Sequence, residues 1–401
     1  MTTFVSVFSG AGGLDIGLQR AGWDCLYATD FDKHAVETLK LNATAGLRGG
    51  DSHIQQSDIR ELTGDVILSD IGRRRGDVEL LAGGPPCQSW SSAGHQLGFN
   101  DPRGRLFDDY LRVAKQLDVR WLLFENVRGL VTARGFDGMP GSALAAIRQA
   151  LFKAGWQSRV ELLNAADYGA PQRRVRMILI GYRQGDEPPV PSPSHDEHGQ
   201  NSLPPWVSIA EALADLPPLT DDEIIRPSGK LALDLELIQP GSGVKSPGKR
   251  ESTRPGGHWG YKQGAFIADM KRAARTVTAN AQQDWVRDPI LGLRRLSPRE
   301  CAALQTFPKA WVFAGKRTDQ YRQIGNAVPP LLAEKIGQAL RAHVTQAVTT
   351  GKDEAVASIA PLPARLQAAI DYTAREHRRN GESRMAAPSR RRTKGRQVGV
   401  G

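Results

Sequence analysis

Phe8-Ser9-Gly10-Ala11-Gly12-Gly13-Leu14-Asp15 is the stretch that decides the fold. Thr3 to Phe8, leading into it, is short, apolar and β-branched, as a buried strand requires. Leu14 to Ala21, leading out of it, has the spacing of a helix. Glycines between strand and helix let the backbone turn sharply and approach a ligand closely. The run is not a full G-x-G-x-x-G, because Asp15 stands where the last glycine would fall. Alone it is a weak sign, and an ordinary tight turn is the competing reading.

The same alternation continues outward. Trp23 to Ala28 is a second short apolar run, followed by a helical stretch to Leu41. Further strands are expected to end near Asp58, at Val78–Ala82, at Trp121–Phe124 and at Arg176–Gly181. Strand alternating with helix predicts an α/β fold with a mostly parallel sheet. Asp30 ends the second strand, where an acid can accept hydrogen bonds from ribose hydroxyls. Phe31 beside it offers a face for an adenine, and Asp58 at the end of the third strand could read the adenine amino group.

Three other segments carry chemistry. Gly83-Gly84-Pro85-Pro86-Cys87-Gln88-Ser89-Trp90-Ser91 follows a strand and is stiffened by two prolines. It sets Cys87 at the carboxyl edge of the sheet, where open α/β folds place their ligands. A thiolate there would be a nucleophile; an inert buried cysteine is the alternative, and it suits Cys25 and Cys301. Glu125 follows the strand Trp121–Phe124. Desolvation at a strand end should raise its pKa, so that it holds a proton to donate. In Gln172-Arg173-Arg174-Val175-Arg176 the two-residue spacing points Arg174 and Arg176 to one face, and two guanidiniums suit a phosphate or a base carbonyl.

Composition bounds the rest. The chain has 401 residues, 40% hydrophobic and 24% charged, which excludes wholesale disorder and allows two or three domains. No apolar run approaches the ~18 residues of a membrane span, and the first residues show no secretory signal. Three cysteines without a C-x-x-C pair argue against a disulfide framework, and a reducing cytoplasm is the natural compartment. The net charge of +10 suggests a nucleic-acid partner. From Pro188 to Pro218 there are eight prolines, the mark of an exposed connection. Residues 184–240 hold eleven Asp/Glu against two Lys/Arg, whereas 241–280 hold eight Lys/Arg against two Asp/Glu. Beyond Pro329-Pro330, Leu332, Ile336, Leu340 and Val344 recur on one helical face.

Taken in order, these blocks resemble the DNA (cytosine-5) methyltransferase family of bacterial restriction-modification type. The resemblance rests on Phe8-Ser-Gly-Ala-Gly-Gly, Pro85-Pro-Cys-Gln, Glu125-Asn-Val and Gln172-Arg-Arg-Val-Arg. Arg295-Leu-Ser-Pro-Arg-Glu-Cys-Ala-Ala-Leu-Gln-Thr-Phe-Pro308 and Gln323-Ile-Gly-Asn-Ala-Val-Pro-Pro330 complete it. It implies a Rossmann-like sheet that binds S-adenosylmethionine, with a smaller, loop-rich target-recognition domain and duplex DNA between them. The implied division is 1–183 for catalysis and cofactor, 184–319 for target recognition and connection, 320–345 for a return to the first domain, and 346–401 for a basic, disordered tail.

The resemblance also implies the chemistry. Cys87 would attack C6 of a flipped-out cytosine, Glu125 would protonate or hydrogen-bond N3, and Arg176, supported by Arg174, would hold the base carbonyl. Phe8, Gly10 and Gly12 would line the methionine end of the cofactor, Asp30 the ribose, and Phe31, Asp58 and Ile59 the adenine. Pro86, Leu106, Asn326 and Val328 match further cofactor contacts. Ser89 to Asn100 looks like the loop that closes over the base, and Gln88 and Ser91 are expected to touch DNA. Ser6 stands where the family often has an acid, which puts a minor cofactor-side contact in doubt. In the basic stripe, Lys245, Lys249, Arg250, Arg254 and Lys262, with His258, are candidates for phosphate and groove contacts. No metal is called for, and a monomer is expected. Such an enzyme would either protect DNA from a partner restriction endonuclease or act alone.

Three rivals are weaker. Transfer RNA could take the same chemistry, but single-stranded loops already expose their bases and need no separate recognition domain. A NAD-dependent oxidoreductase would explain only the glycine turn and Asp30. A catalytically dead DNA-binding regulator leaves Cys87 and Glu125 without purpose. Residues 372–401 contain nine Lys/Arg and two Glu, so they carry +7 of the +10. This tail is expected to add salt-sensitive, sequence-independent DNA affinity.

Overall fold

The computed structural model describes residues 2–46, 51–86, 106–135, 137–183, 187–200, 202–245, 247–248, 264–347 and 358–386. Seven strands form the main sheet: β1 (Thr3–Val7), β2 (Asp24–Asp30), β3 (His53–Gln56), β4 (Leu80–Gly83), β5 (Trp121–Val127), β6 (Gln157–Asn164) and β7 (Val175–Tyr182). Their order is β3-β2-β1-β4-β5-β7-β6. The first five pair in parallel, as the strand–helix alternation predicts, and β7 runs antiparallel to both β5 and β6. The sequence reading missed β6. Its sequence, Gln-Ser-Arg-Val-Glu-Leu-Leu-Asn, opens on three polar residues and keeps neither a regular alternation nor a continuous apolar run, so it lacks both marks of a strand.

Helices α1 (Gly13–Arg20), α2 (Lys33–Thr44), α3 (Gly64–Asp70), α4 (Leu106–Leu117) and α5 (Ser142–Lys153) connect the strands. The middle of the chain adds α6 (Ile209–Leu213), α7 (Gly229–Glu236) and a four-stranded sheet. That sheet consists of β8 (Ser242–Gly243), β9 (Phe266–Ile267), β10 (Trp285–Asp288) and β11 (Gly292–Arg295), around a small core of Leu235, Ile238, Ile267 and Trp285. Then come α8 (Pro298–Leu304), α9 (Arg317–Asn326), α10 (Pro330–Ala347) and α11 (Ala364–Ala386).

One apolar layer joins α1, α8, α9 and α10 to the sheet, through Leu14, Leu18, Leu304, Tyr321, Leu332, Ile336 and Leu340. The other gathers α3, α4, α5 and the start of α11, through Ile67, Val113, Leu117, Leu144, Ile147 and Leu366. The predicted face of α10 is the buried one: Leu332, Ile336, Leu340 and Val344 are all 4% exposed or less. α10 lies so close on α1 that a Cβ at Gly17 would sit 2.4 Å from the Pro330 carbonyl oxygen and from the Ala333 Cβ.

Two expected boundaries move. The chain re-enters the large core near Leu296 rather than at 320, because Leu296, Cys301, Leu304, Phe307 and Trp311 are buried in the same layer as α1. The capping box of Ser297 and Glu300 starts α8 there. The segment read as a disordered tail from 346 contains α11, whose Leu366 is 1% exposed. A stripe of Leu362, Leu366 and Ile370, four residues apart, docks it. That stripe is hidden in a composition dominated by polar residues. Among the described residues no helix is long and apolar enough to cross a membrane.

Candidate active site

The glycine-rich turn leaves β1 through Phe8, which takes the left-handed φ of 55° that a bulky side chain normally avoids. Ser9 holds this bend. Its N–H donates to the Thr29 carbonyl (3.0 Å), and its Oγ accepts from the Thr29 N–H (3.2 Å). Gly10 follows at φ 53°, and a Cβ placed there would meet nothing within 4 Å, so open space lies over the turn. The Gly10 N–H donates to one carboxylate oxygen of Asp30 and the Asp32 N–H to the other, both at 2.8 Å. Burial pushes the Asp30 carboxyl above the usual range, against the pull of these backbone donors.

Two sequence departures in this turn explain each other. Asp15, which breaks the glycine pattern, is wholly buried in α1. The Ser6 hydroxyl donates to it at 2.5 Å, and the Ser9 hydroxyl donates in turn to Ser6 at 2.8 Å. Ser6, on β1, therefore satisfies a buried acid nine residues on, in α1.

Phe31 is 70% exposed, an unusual position for a large aromatic side chain beside a cleft. Ile59 is buried, and Asp58 is held by the Arg60 side chain and backbone, which keeps its carboxyl below the usual range. Arg112 of α4 braces this corner by donating to the carbonyls of Ile59 (2.6 Å) and Leu62 (2.8 Å). Two carboxylates, an exposed ring and an open glycine backbone at one sheet edge suit an adenosine, whose hydroxyls and amino group are donors and whose base stacks. The residues present therefore fit S-adenosylmethionine.

The second half of the site lies at the ends of β4 and β5. Glu125 is 8% exposed, and the Arg176 Nε is 3.0 Å from its carboxylate. Desolvation pushes the Glu125 carboxyl above the usual range, with Arg176 and then Arg174 opposing. Gly84 lies directly against it: a Cβ there would be 2.7 Å from Glu125 Oε2. The Asn126 amide donates to the Pro85 carbonyl (3.2 Å) and fixes the same loop from β5. The described chain stops at Pro86, one residue short of Cys87. Cys87, Gln88, Ser91 and the rest of the Ser89–Asn100 segment lie outside the described residues, as do Lys249, Arg250, Arg254, His258 and Lys262. Lys245 is exposed beside Gly264.

Arg174, expected beside Arg176 on one face, is closed in by main chain. It is 0% exposed and donates to the carbonyls of Val277 (2.9 Å), Gly325 (2.7 Å) and Ala327 (2.8 Å). Gln172 works beside it. Its amide donates to Leu304 O (2.9 Å) and Gln305 Oε1 (2.6 Å) and accepts from the Val277 N–H (3.1 Å). These bonds pin the loop that carries exposed Asn326 and buried Val328. Gly325 lets the Thr278 backbone press in, since a Cβ would be 2.1 Å away. Leu106 begins α4 and packs against the second apolar layer.

Gly84, Asn126, Arg112, Gln172 and Gln305 were given no individual role by sequence reasoning. Their partners come from distant strands and loops, so no local pattern marks them.

With this geometry in hand, the similarities to known proteins can be stated. The family model described as C-5 cytosine-specific DNA methylase matches residues 2–342. The chain is 33% identical to Type II methyltransferase M1.HphI of Haemophilus parahaemolyticus over 84% of its own length and 86% of that protein's. It is 31% identical to Type II methyltransferase M.FnuDI of Fusobacterium nucleatum, over 85% and 94%. Among solved structures, S. pombe Dnmt2 methyltransferase shares the fold with a TM-score of 0.60 at 17% identity, over 86% of this chain and 99% of that one. Entamoeba histolytica methyltransferase EhMeth does so with a TM-score of 0.57 at 15% identity, over 86% and 99%.

Proposed function

The chain belongs to the C-5 cytosine-specific DNA methylase family, and on that premise we propose that it methylates a flipped-out cytosine within one specific duplex sequence through a covalent Cys87 adduct. Its activity is that of the family, C5 methylation of cytosine in DNA. The observation that carries the finer reading is the Glu125–Arg176 pair, wedged against Gly84 at the sheet edge that also bears Asp30 and Phe31.

C5 of cytosine is a poor nucleophile. The Cys87 thiolate forms a bond to C6, and the displaced electron pair makes C5 enamine-like. Glu125 supplies a proton or hydrogen bond at N3, where charge would otherwise build up. Its raised pKa keeps the carboxyl protonated at higher pH than an ordinary glutamate. Arg176, paired with Glu125, would hold the adjoining base carbonyl. Bound S-adenosylmethionine supplies an electrophilic methyl group and leaves as S-adenosylhomocysteine. Asp30 would hold its ribose, Phe31, Asp58 and Ile59 its adenine, and Phe8, Gly10 and Gly12 its methionine end. Pro86, Leu106, Asn326 and Val328 complete that pocket. A base then removes the C5 proton, the C6–sulfur bond breaks, and Cys87 departs as thiolate. The target base cannot be reached inside a duplex, so it leaves the stack.

The segment from 184 would read the sequence around that base, with Lys245, Lys249, Arg250, Arg254 and Lys262, and Gln88 and Ser91, as its contacts to DNA. Methylation there would block a restriction endonuclease with the same target.

Labelled S-adenosylmethionine offered with duplex DNA and with RNA tests the substrate; counts on RNA alone overturn the reading. Bisulfite sequencing of DNA from expressing cells gives the target. Cys87→Ser should abolish methyl transfer and leave cofactor binding intact, whereas undiminished turnover removes Cys87 from the mechanism.

A further inference from the structure

The last described helix lies outside the family match, which ends at residue 342. It is built onto the catalytic layer in a definite direction. The Gln157 amide donates to the Ser358 carbonyl (2.9 Å), and the Arg148 guanidinium donates to that of Ala360. Gln157 opens β6 and pairs with Tyr182, which pairs with Trp121 at the start of β5. Arg365 then pairs with Glu161. Glu161 lies opposite Ile178, and Ile178 opposite Glu125, so this contact is level with the active-site carboxylate. Ile370 packs against Gly141, and His377 meets Arg134 at 2.9 Å. Both partners belong to the segment that follows β5 at the carboxyl edge. The helix therefore climbs from the amino end of the sheet, past the level of Glu125, to the edge where a substrate base enters.

Its two sides differ. Leu366, Ile370, Thr373 and His377 recur at helical spacing on the docked side. Arg375, Arg378 and Arg379 are exposed on the other side, one turn or less from one another. The acid among them, Glu376, accepts from the Tyr372 hydroxyl at 3.2 Å.

We propose that α11 is a docked arm whose Arg375, Arg378 and Arg379 bind the phosphate backbone of duplex DNA on one flank of the target base. The inference rests on the reading above, that duplex DNA lies across this edge. It differs from a free basic tail in being directional. One arm rising from one edge of one sheet reaches phosphates on a single side of the target. Phosphate contacts hold register without reading sequence.

The test uses the full-length protein with Arg375→Gln, Arg378→Gln and Arg379→Gln combined, all surface positions outside the catalytic machinery. Three lost phosphate contacts at about 0.9 each should make the slope of log binding constant against log salt shallower by about 2.7. Nuclease protection should shorten on one flank, while site preference and kcat at saturating DNA stay unchanged. The matching triple Arg→Lys variant should keep the slope, because point charges suffice for counterion release. An unchanged slope, or protection lost equally on both flanks, overturns the arm. So does a changed site preference, which would put these arginines in sequence reading. If the unaltered protein neither binds nor methylates duplex DNA, the functional reading itself fails, and that result is distinct from all of these.

Discussion

At the scale of single residues, the proposed mechanism turns on how one carboxyl is held. Glu125 feels two opposed influences, burial raising its pKa and the Arg176 guanidinium at 3.0 Å lowering it, and burial prevails. The protonated form is the one that can donate to N3. The alkaline limb of the pH–rate profile should therefore be a decline as pH rises through the raised pKa of Glu125. Arg176→Ala removes the opposing cation, so it should lower kcat and move that alkaline limb to higher pH; a pH–rate profile of both proteins checks this. Gly84→Ala tests position instead of protonation. The new Cβ would stand 2.7 Å from Glu125 Oε2, so the carboxylate must shift. A misplacement approaching 1 Å is expected to reduce kcat about 10–100-fold, with cofactor affinity unchanged in calorimetry. Glu125 was legible in the sequence because a strand-terminal acid has a local signature. The need for glycine at 84 was not, since its cause is a side chain on another strand.

At the scale of elements, the entry to β7 ties the two halves of the site together. Arg174 satisfies three main-chain carbonyls at once, two of them flanking Asn326. A buried carbonyl left without a donor costs about 1–3 kcal/mol. Arg174→Met should therefore destabilise the fold by about 3–5 kcal/mol in denaturant titration. It should also weaken cofactor binding, because the loop bearing Asn326 and Val328 loses its anchor. A purely catalytic Arg174 would instead lower kcat with stability unchanged. The two-residue spacing from Arg176 suggested a shared open face. Arg174 stands one residue before β7 and is buried by the loops whose carbonyls it holds, which spacing alone does not show. Periodicity made the parallel strands and the buried face of α10 legible, because both are repeated patterns. It failed at β6 and α11, where each apolar stripe is thin and flanked by polar residues.

At the scale of the whole molecule, the question is what the C-terminal segment contributes, and the cut point decides. Composition alone assigns most of the net charge to residues 372–401 and treats them as dispensable for folding. Yet Leu366 is fully buried in the layer that holds Leu130, Val131 and Leu144. Arg148, Gln157 and Glu161 take partners from residues 358–365. Removing 358–401 would uncover that layer and take one partner each from Arg148 and Glu161, both less than 9% exposed, leaving them Ser158 and Arg159. Full burial of one leucine is worth about 1.5–3 kcal/mol. With Ile370 and the lost polar partners added, the truncation should cost about 3–5 kcal/mol. Removing only 387–401 leaves every one of these contacts in place. It should keep the unfolding midpoint of the intact protein while reducing salt-sensitive DNA affinity. Thermal and urea unfolding of the two truncations, measured beside their DNA binding at several salt concentrations, separates the roles. Equal midpoints would mean that α11 adds no stability to the catalytic layer, and that its charge is its whole contribution.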